Sequence, residues 1–498
     1  MLTFEKTSPE ETGIPSECIT HLIDRLQKRQ IPMHSLLLMH CGKLIFEGYY
    51  APLTATSLHR MFSISKSFTS IAIGLLIDEG IISLEDPIIK YFPEKLPTQG
   101  DIHPWIAQMT IKDMLMMRTC HASTTYKLDM SSDWVASYFT TPPTHPSGTI
   151  FHYDTSAAHT LCALVEKLTG QNMLDYMKEK LQILGFSKES YMIKDPFGVS
   201  MGGSGLVALP IDMMKFGYFI AHRGFVLGEQ LLSSSYIDMA VSPLTSNCVT
   251  APLPSEAQGY GLQFWRNERN GFTCYGMGGQ LIIFLPEYQL ICVTTADTQS
   301  VQGGNQQIYD ALYEELLPYI QEQPLPRNEM TEKALNKMLS SLAIKPLINT
   351  FTLDTPTKDT SIKNICVPEY FYNINGKTFY VQNETSDFQS FCVLFKENTG
   401  TLSFTHKDTP YTISFGIGLM QTGSFPIYNL QYAASGAWLF DGTFLIKVHI
   451  IDAYVGTVQF QLSFQNDALT LFMTKKEESL FHEFNGHLYC KMQSVKAI

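Results

Sequence analysis

Apolar residues follow a helical spacing in the first part of the chain and short alternating runs in the last. From Ser16 to Lys28, Ile19, Leu22, Ile23 and Leu26 fall on one stripe, which predicts an amphipathic helix. Two apolar runs follow, Ser35–His40 and Lys43–Tyr50, separated by Cys41-Gly42, which predicts a hairpin. The next run, Phe68, Ile71, Ala72, Ile73, Leu75, Leu76 and Ile77, has no polar face until Asp78-Glu79-Gly80. That pattern predicts a buried helix, with Gly80 suited to a left-handed C-terminal cap. Further helices are predicted over Ile111–Met117, Thr155–Leu168 ahead of Gly170, Met173–Leu184 ahead of Gly185, and Pro210–His222. Gly202-Gly203-Ser204-Gly205 reads as a flexible loop, for which a plain connection between helices is at least as good a reading as a functional one. Strands are predicted over Tyr260–Arg266, Phe272–Tyr275, Gln280–Leu285 and Gln289–Thr295, with Asn270-Gly271 as a tight turn and Gln306–Leu317 as a closing helix. The early hairpin and these late strands can share one antiparallel sheet flanked by helices, with the middle of the chain as a helical subdomain and a cleft between the two parts. The fold class is therefore α+β.

After the prolines at 318, 324 and 326 the character changes. Beyond one helix at Glu332–Leu342, the chain reads as short strands: Lys377–Gln382, Gln389–Phe395, Leu402–Thr405, Tyr411–Phe415, Thr443–Ile451, Thr457–Phe464 and Ala468–Met473. Asn375-Gly376, Asn398-Thr399-Gly400 and Asp441-Gly442 punctuate them. We expect two domains, residues 1–325 and 326–498, the second an all-β barrel or sandwich.

Composition narrows the function class. With 498 residues, 45% hydrophobic and 16% charged, the chain is globular and too long for one ordinary core. A net charge of −12 argues against a nucleic-acid surface. No apolar stretch approaches the roughly eighteen residues of a membrane span. The first residues, Met1 to Pro15, lack the basic start and apolar run of a signal peptide. The ten cysteines are scattered and form no CxxC pair. Together these features predict reduced thiols and a cytoplasmic location.

The candidate chemistry begins at Phe62-Ser63-Ile64-Ser65-Lys66-Ser67-Phe68. On a helix, positions i and i+3 share a face, so Lys66 would stand beside the Ser63 hydroxyl at the start of the buried helix. A serine becomes a useful nucleophile when a neighbouring base takes its proton, and a helix start adds N–H groups that favour developing negative charge. Tyr153, in Phe151-His152-Tyr153-Asp154-Thr155-Ser156, is a proton carrier if a cation lies nearby, and Lys66 could be that cation. Tyr275-Gly276-Met277-Gly278-Gly279-Gln280 is glycine-rich on a strand, where an edge N–H could complete an oxyanion hole with the N–H of Ser63. His103, His121, His145, His152 and His159 show no metal-ligand spacing such as HExxH, and His406, His449, His482 and His487 read as structural or surface residues. No metal is expected.

The order of these motifs resembles the β-lactamase-related serine hydrolases, which include class C β-lactamases, D-alanyl-D-alanine carboxypeptidases and esterases. The similarity continues through Gly74–Gly80, Leu84-Glu85-Asp86-Pro87, Tyr91-Phe92-Pro93-Glu94, Thr110–Leu115, Met117-Arg118-Thr119-Cys120 and Glu166–Gly170, covering about Thr7 to Leu317. The resemblance implies that Ser63 is acylated, that Lys66 and Tyr153 move protons, and that Thr155, Gly278, Gly279 and Gln280 contact the substrate, with no cofactor. Thr155 stands where that family usually has Asn, and Tyr275 or Gly276 where it has Lys or His. We therefore expect a small-molecule or short-peptide substrate, an ester or amide with no free carboxylate beside the scissile bond. A β-lactamase or penicillin-binding D,D-peptidase, or a non-catalytic peptide-binding relative, is the alternative.

Overall fold

The computed structural model describes residues 1–97, 101–351, 368, 370–452, 454–477 and 480–492. Its contacts divide the chain into two compact units: residues 1–50 with 54–342, and residues 51–53 with 343–498.

The first unit is built on a six-stranded sheet. The strands are β1 (Met33–His40), β2 (Lys43–Tyr49), β3 (Trp265–Arg266), β4 (Phe272–Gly276), β5 (Gln280–Leu285) and β6 (Leu290–Ala296). Their spatial order is β2-β1-β6-β5-β4-β3, antiparallel throughout. The early hairpin and the late strands thus share one antiparallel sheet, as the sequence pattern predicts, with the hairpin joined through β6. Every residue of β1 and β6 is buried, so both faces of the sheet centre are covered. Helix α1 (Ser16–Lys28) has the bounds that its apolar stripe predicts and packs against helices Gln306–Glu315 and Glu329–Ser340. The latter helix thus belongs to the first unit, and the division falls between Leu342 and Ala343.

Helix α2 (Ile64–Asp78) is buried from Ile64 through Leu76, because it is enclosed by the sheet and by the helical part of the unit. It ends at Gly80, whose φ of +70° is the left-handed cap read from the sequence. Helix α3 (Thr155–Thr169) packs against α2 and ends at Gly170, also left-handed. Helix α4 (Pro210–Ala221) lies on β5 and β6; a methyl added at Gly217 would come within 2.7 Å of Ile282, so glycine sets that close approach.

Two sequence expectations for this unit need revision. Only Trp265–Arg266 of the Tyr260–Arg266 run forms a strand, because Gln263 takes a φ of +66° and the Gly261 N–H turns back to the Phe264 carbonyl. The run Met173–Leu184 breaks at Leu181 into an α-helix, Met173–Lys180, and a 3-10 turn, Gln182–Leu184.

The second unit is a closed barrel. Nine strands form the ring, and Gly416–Ile417 pairs in parallel with Ser435–Gly436 to close it; a tenth strand, Gln421–Phe425, pairs along Leu430–Trp438. Between the barrel and sandwich architectures the chain forms the barrel, filled by aromatic side chains such as Phe391, Phe415, Trp438 and Phe444. Three strands went unread in the sequence: Gln421–Phe425, Leu430–Trp438 and Gly486–Met492. Within Leu430–Trp438, Ala433, Ala434, Ser435 and Gly436 are small, and no alternation is visible. Gly436 is small because the barrel interior is full: a methyl there would come within 2.5 Å of the Phe444 ring.

Candidate active site

Ser63 occupies the N-cap position of α2, yet its hydroxyl caps nothing. The turn that delivers it is unusual. Phe62 sits at a φ of +45°, a region that bulky residues avoid, so the elbow before Ser63 is strained. The surroundings hold it there. The Ser65 hydroxyl donates to the Phe62 carbonyl at 2.6 Å and accepts the Leu206 N–H at 2.9 Å. The Met61 N–H donates to the Leu206 carbonyl at 2.8 Å, and the Arg60 guanidinium donates to the Ser204 carbonyl at 3.0 Å.

Lys66 lies one turn into α2 and is 1% exposed. Its Nζ donates to Ser63 Oγ at 2.9 Å and to the Gly203 carbonyl at 2.7 Å. The same Nζ stands 4.7 Å from the centre of the Tyr153 ring, within cation–π range. The structure therefore brings Ser63, Lys66 and Tyr153 together from two separate helix starts.

Tyr153 is placed by the start of α3. The Asp154 carboxylate accepts the Ser156 N–H at 2.9 Å, which caps the helix and fixes the residue before it. Burial pushes the Asp154 carboxyl up to about 6. The Tyr153 hydroxyl is enclosed and makes no hydrogen bond among the described residues. Burial raises its pKa above the ordinary tyrosine value, and the nearby Ser63 and Trp265 side chains partly oppose that rise. Trp265, Tyr260, Phe151 and Tyr275 complete an aromatic wall, with Trp265 5.3 Å from Tyr153 and 5.5 Å from Tyr275 between ring centres. The segment 119–145 sits against the same helix start: Thr124 Oγ1 accepts the Thr155 N–H, and Ser156 Oγ accepts the Thr125 N–H.

Thr155 faces Gly203, where an added methyl would lie 2.5 Å from Thr155 Cγ2 and 3.6 Å from Lys66 Nζ. The double glycine at 202–203, for which the sequence leaves a plain connection and a functional role open, lets the backbone reach Lys66. The glycine-rich strand divides. Gly276 abuts the elbow, with an added methyl 2.4 Å from the Met61 carbonyl oxygen. Gly278, Gly279 and Gln280 turn towards the strand end at Ala296: Gly278 O accepts the Thr298 N–H, a methyl on Gly279 would meet Ala296 and Thr298, and the buried Gln280 amide bonds the Met277 and Ala296 carbonyls. Their side-chain and added-methyl contacts are with Met277, Ala296, the turn after β6 and Ile308, and none of these is Ser63. Trp265 and the role of Gly203 escaped the sequence reading; the adjacent glycines at 202–203 were a visible signal of a close approach.

Gly276→Ala tests the abutment. The clash is with backbone, which cannot rotate away, so the variant is expected to lose about 1–3 kcal/mol of stability. Thermal denaturation against wild type measures it; an unchanged midpoint would show that the elbow has slack.

The sequence model of the beta-lactamase family matches residues 19–312, more than half the chain and all of this site. The chain belongs to the beta-lactamase family. Within it, this chain is 21% identical over 315 residues to the 6-aminohexanoate-dimer hydrolase of Paenarthrobacter ureafaciens, covering 58% of this chain and 79% of the relative. Among solved structures, this beta-lactamase-family protein superposes on the "Putative 6-aminohexanoate-dimer hydrolase from Bacillus anthracis" with a TM-score of 0.50 at 20% identity, over 63% of this chain and 86% of that one. It also matches a beta-lactamase-like structure from Bacteroides dorei with a TM-score of 0.50 at 18% identity, over 60% of this chain and 98% of that one. At these identities the structural likeness speaks for the fold alone. Among the described residues, no helix is long and apolar enough to cross a membrane.

Proposed function

We propose that this protein cleaves an ester or amide bond through an acyl-enzyme on Ser63. The observation that carries the reading is the Lys66 Nζ held 2.9 Å from Ser63 Oγ, beneath the Tyr153 ring. Ser63 Oγ attacks the carbonyl carbon while its proton passes to the Lys66–Tyr153 pair. The tetrahedral intermediate collapses, the proton moves on to the leaving nitrogen or oxygen, and the acyl group stays on Ser63. Water attacks that ester, gives its proton to the same pair and restores Ser63. The positive end of the α2 dipole favours the charge that develops on the carbonyl oxygen. No metal or organic cofactor is called for.

The substrate class follows from what the glycine-rich strand presents. Tyr275, Gly276 and Met277 offer no cation, so a carboxylate beside the scissile bond would find no partner there. The relative named for a 6-aminohexanoate dimer supports a small amide or short peptide-like substrate.

Intact-mass labelling with a fluorophosphonate tests the nucleophile. Wild type is expected to gain one adduct and Ser63→Ala none. An adduct of equal yield on the folded variant would place the reactive group elsewhere.

A further inference from the structure

Two buried carboxyl groups of this unit stand outside the reaction drawn above. Glu256, in the turn Pro254–Glu256, is 0% exposed with no hydrogen-bond partner among the described residues, and burial pushes its carboxyl up to about 8. Asp195 is instead paired with a ring. His159, one turn into α3 from Thr155, donates from Nε2 to Asp195 Oδ2 at 3.1 Å, and both side chains are closed off from solvent. This is the ring's one hydrogen bond among the described residues, because Nδ1 has no partner. Tyr126 and Trp134, stacked on each other, meet the same ring edge-on at 5.9 and 5.5 Å between centres.

The Asp195 end of the pair shapes a loop. Its Oδ1 accepts the Phe197 and Val199 N–H groups, both at 2.9 Å, and its own N–H donates to the Val199 carbonyl at 2.8 Å. The Met201 N–H then returns to the Ile193 carbonyl at 2.8 Å, so residues 193–201 close on themselves and lead directly into Gly202-Gly203. There the loop touches α2: the Gly202 carbonyl accepts Thr69 Oγ1 at 2.9 Å, and the Gly203 carbonyl accepts Lys66 Nζ at 2.7 Å. The loop rests on α3. A methyl at Gly202 would lie 2.2 Å from Cys162 Cβ and 2.9 Å from the Ala158 carbonyl oxygen, either side of His159 in the helix. Further along α3, Glu166 accepts the Ser200 N–H at 3.3 Å. One helix therefore follows Tyr153 at its start and, through His159, carries the backbone that holds Lys66.

We propose that His159 is a positioning residue for Lys66: by holding Asp195 it fixes the Gly202–Gly203 backbone on α3, and so sets where the Gly203 carbonyl keeps the lysine relative to Ser63. The inference rests on the role proposed for Lys66 above. Without His159 the buried Asp195 carboxylate loses its partner and must move towards water or another donor. The Glu166 bond still ties Ser200 to α3, so the loop shifts rather than detaches. A shift of about 1 Å at the Gly203 carbonyl takes the ammonium with it, and misplacement of that size costs up to about a hundredfold in rate.

The test is the rate at which a fluorophosphonate labels Ser63 in the full chain, for wild type, His159→Gln, His159→Met and His159→Leu, each with Lys66 intact and with Lys66→Ala. Glutamine offers an N–H donor close to where Nε2 stands, whereas methionine and leucine fill space without one. Circular dichroism selects the folded variants, and either donor-free one suffices. With Lys66 intact, the donor-free variants should label about ten- to a hundredfold more slowly than wild type, and the glutamine variant should stay within about threefold of it. With Lys66→Ala, all three should match Lys66→Ala alone within about twofold, because a residue that acts through another adds no loss once that other is gone. A merely structural role gives an equal loss in both backgrounds, and that result would overturn the proposal. So would donor-free variants that label at the wild-type rate, or a glutamine variant as slow as they are. Each of these outcomes leaves the Ser63 acyl-enzyme reading intact. Absence of any Ser63 adduct on wild type would overturn both.

Discussion

Lys66→Ala is expected to lower Ser63 labelling, and turnover of any ester or amide substrate, by about a thousandfold, the range in which a positioned proton-transfer group acts. The side chain serves three neighbours at once. It bonds the nucleophile, ties down the Gly203 carbonyl and lies on the Tyr153 ring. Alanine removes all three and leaves a cavity within a helix that is buried on every side. Lys66→Arg should not rescue the loss, because a guanidinium is larger and stays charged through the reaction. Circular dichroism establishes that each variant is folded, and labelling kinetics give the rate. A Lys66→Ala enzyme within tenfold of wild type would remove Lys66 from the mechanism.

The second large effect is on stability. Glu256→Gln should gain stability over wild type as pH rises, by up to about 5 kcal/mol, for a carboxyl raised from its ordinary 4.5 to about 8 at about 1.4 kcal/mol per unit. The sign follows from proton counting. Between those two values the folded chain keeps a proton on Glu256 that the unfolded chain has released, so unfolding becomes easier as pH increases. The wild-type contribution is fully present below about 4.5, is lost by about 8 and is flat beyond. Glutamine does not titrate, so the difference between the two proteins grows only inside that window. Chemical denaturation at about pH 4.5, 6.5 and 8.5 measures it. A difference that stays constant across the three would show that the Glu256 carboxyl binds its proton in the folded protein as it does in the unfolded one.

What could be read in the sequence follows from the range of the interactions involved. Helix α2 and the place of its lysine were legible because positions i and i+3 of a helix share a face, whereas the strained turn at Phe62 was not. The six-stranded sheet was legible because β1, β2, β5 and β6 are apolar enough to declare themselves. Trp265 and Gly203 were not, since each is defined by what it touches more than a hundred positions away, Tyr153 in one case and Lys66 in the other. Glu256 lies in Leu253-Pro254-Ser255-Glu256-Ala257-Gln258, a string with the composition of a surface turn. Nothing local marks it as buried; the turn it sits in is tied to helix Gln306–Glu315 through Ser255 and Gln306. In the second unit, the small residues of Leu430–Trp438 hide a strand because the bulk that fills their space comes from Phe444 and Phe415.

The position of β6 between β1 and β5 also sets an order of events during synthesis. β1 is finished within the first forty residues, but its second edge meets a partner only when Leu290–Ala296 has been made. Until then a strand destined for complete burial waits with one row of backbone groups uncovered, through the translation of the whole helical part. A nascent chain that stalls before Leu290 would carry that sticky edge indefinitely, so ribosome-bound fragments of this protein should be clients of chaperones that shield unpaired strands, and release should coincide with the emergence of β6.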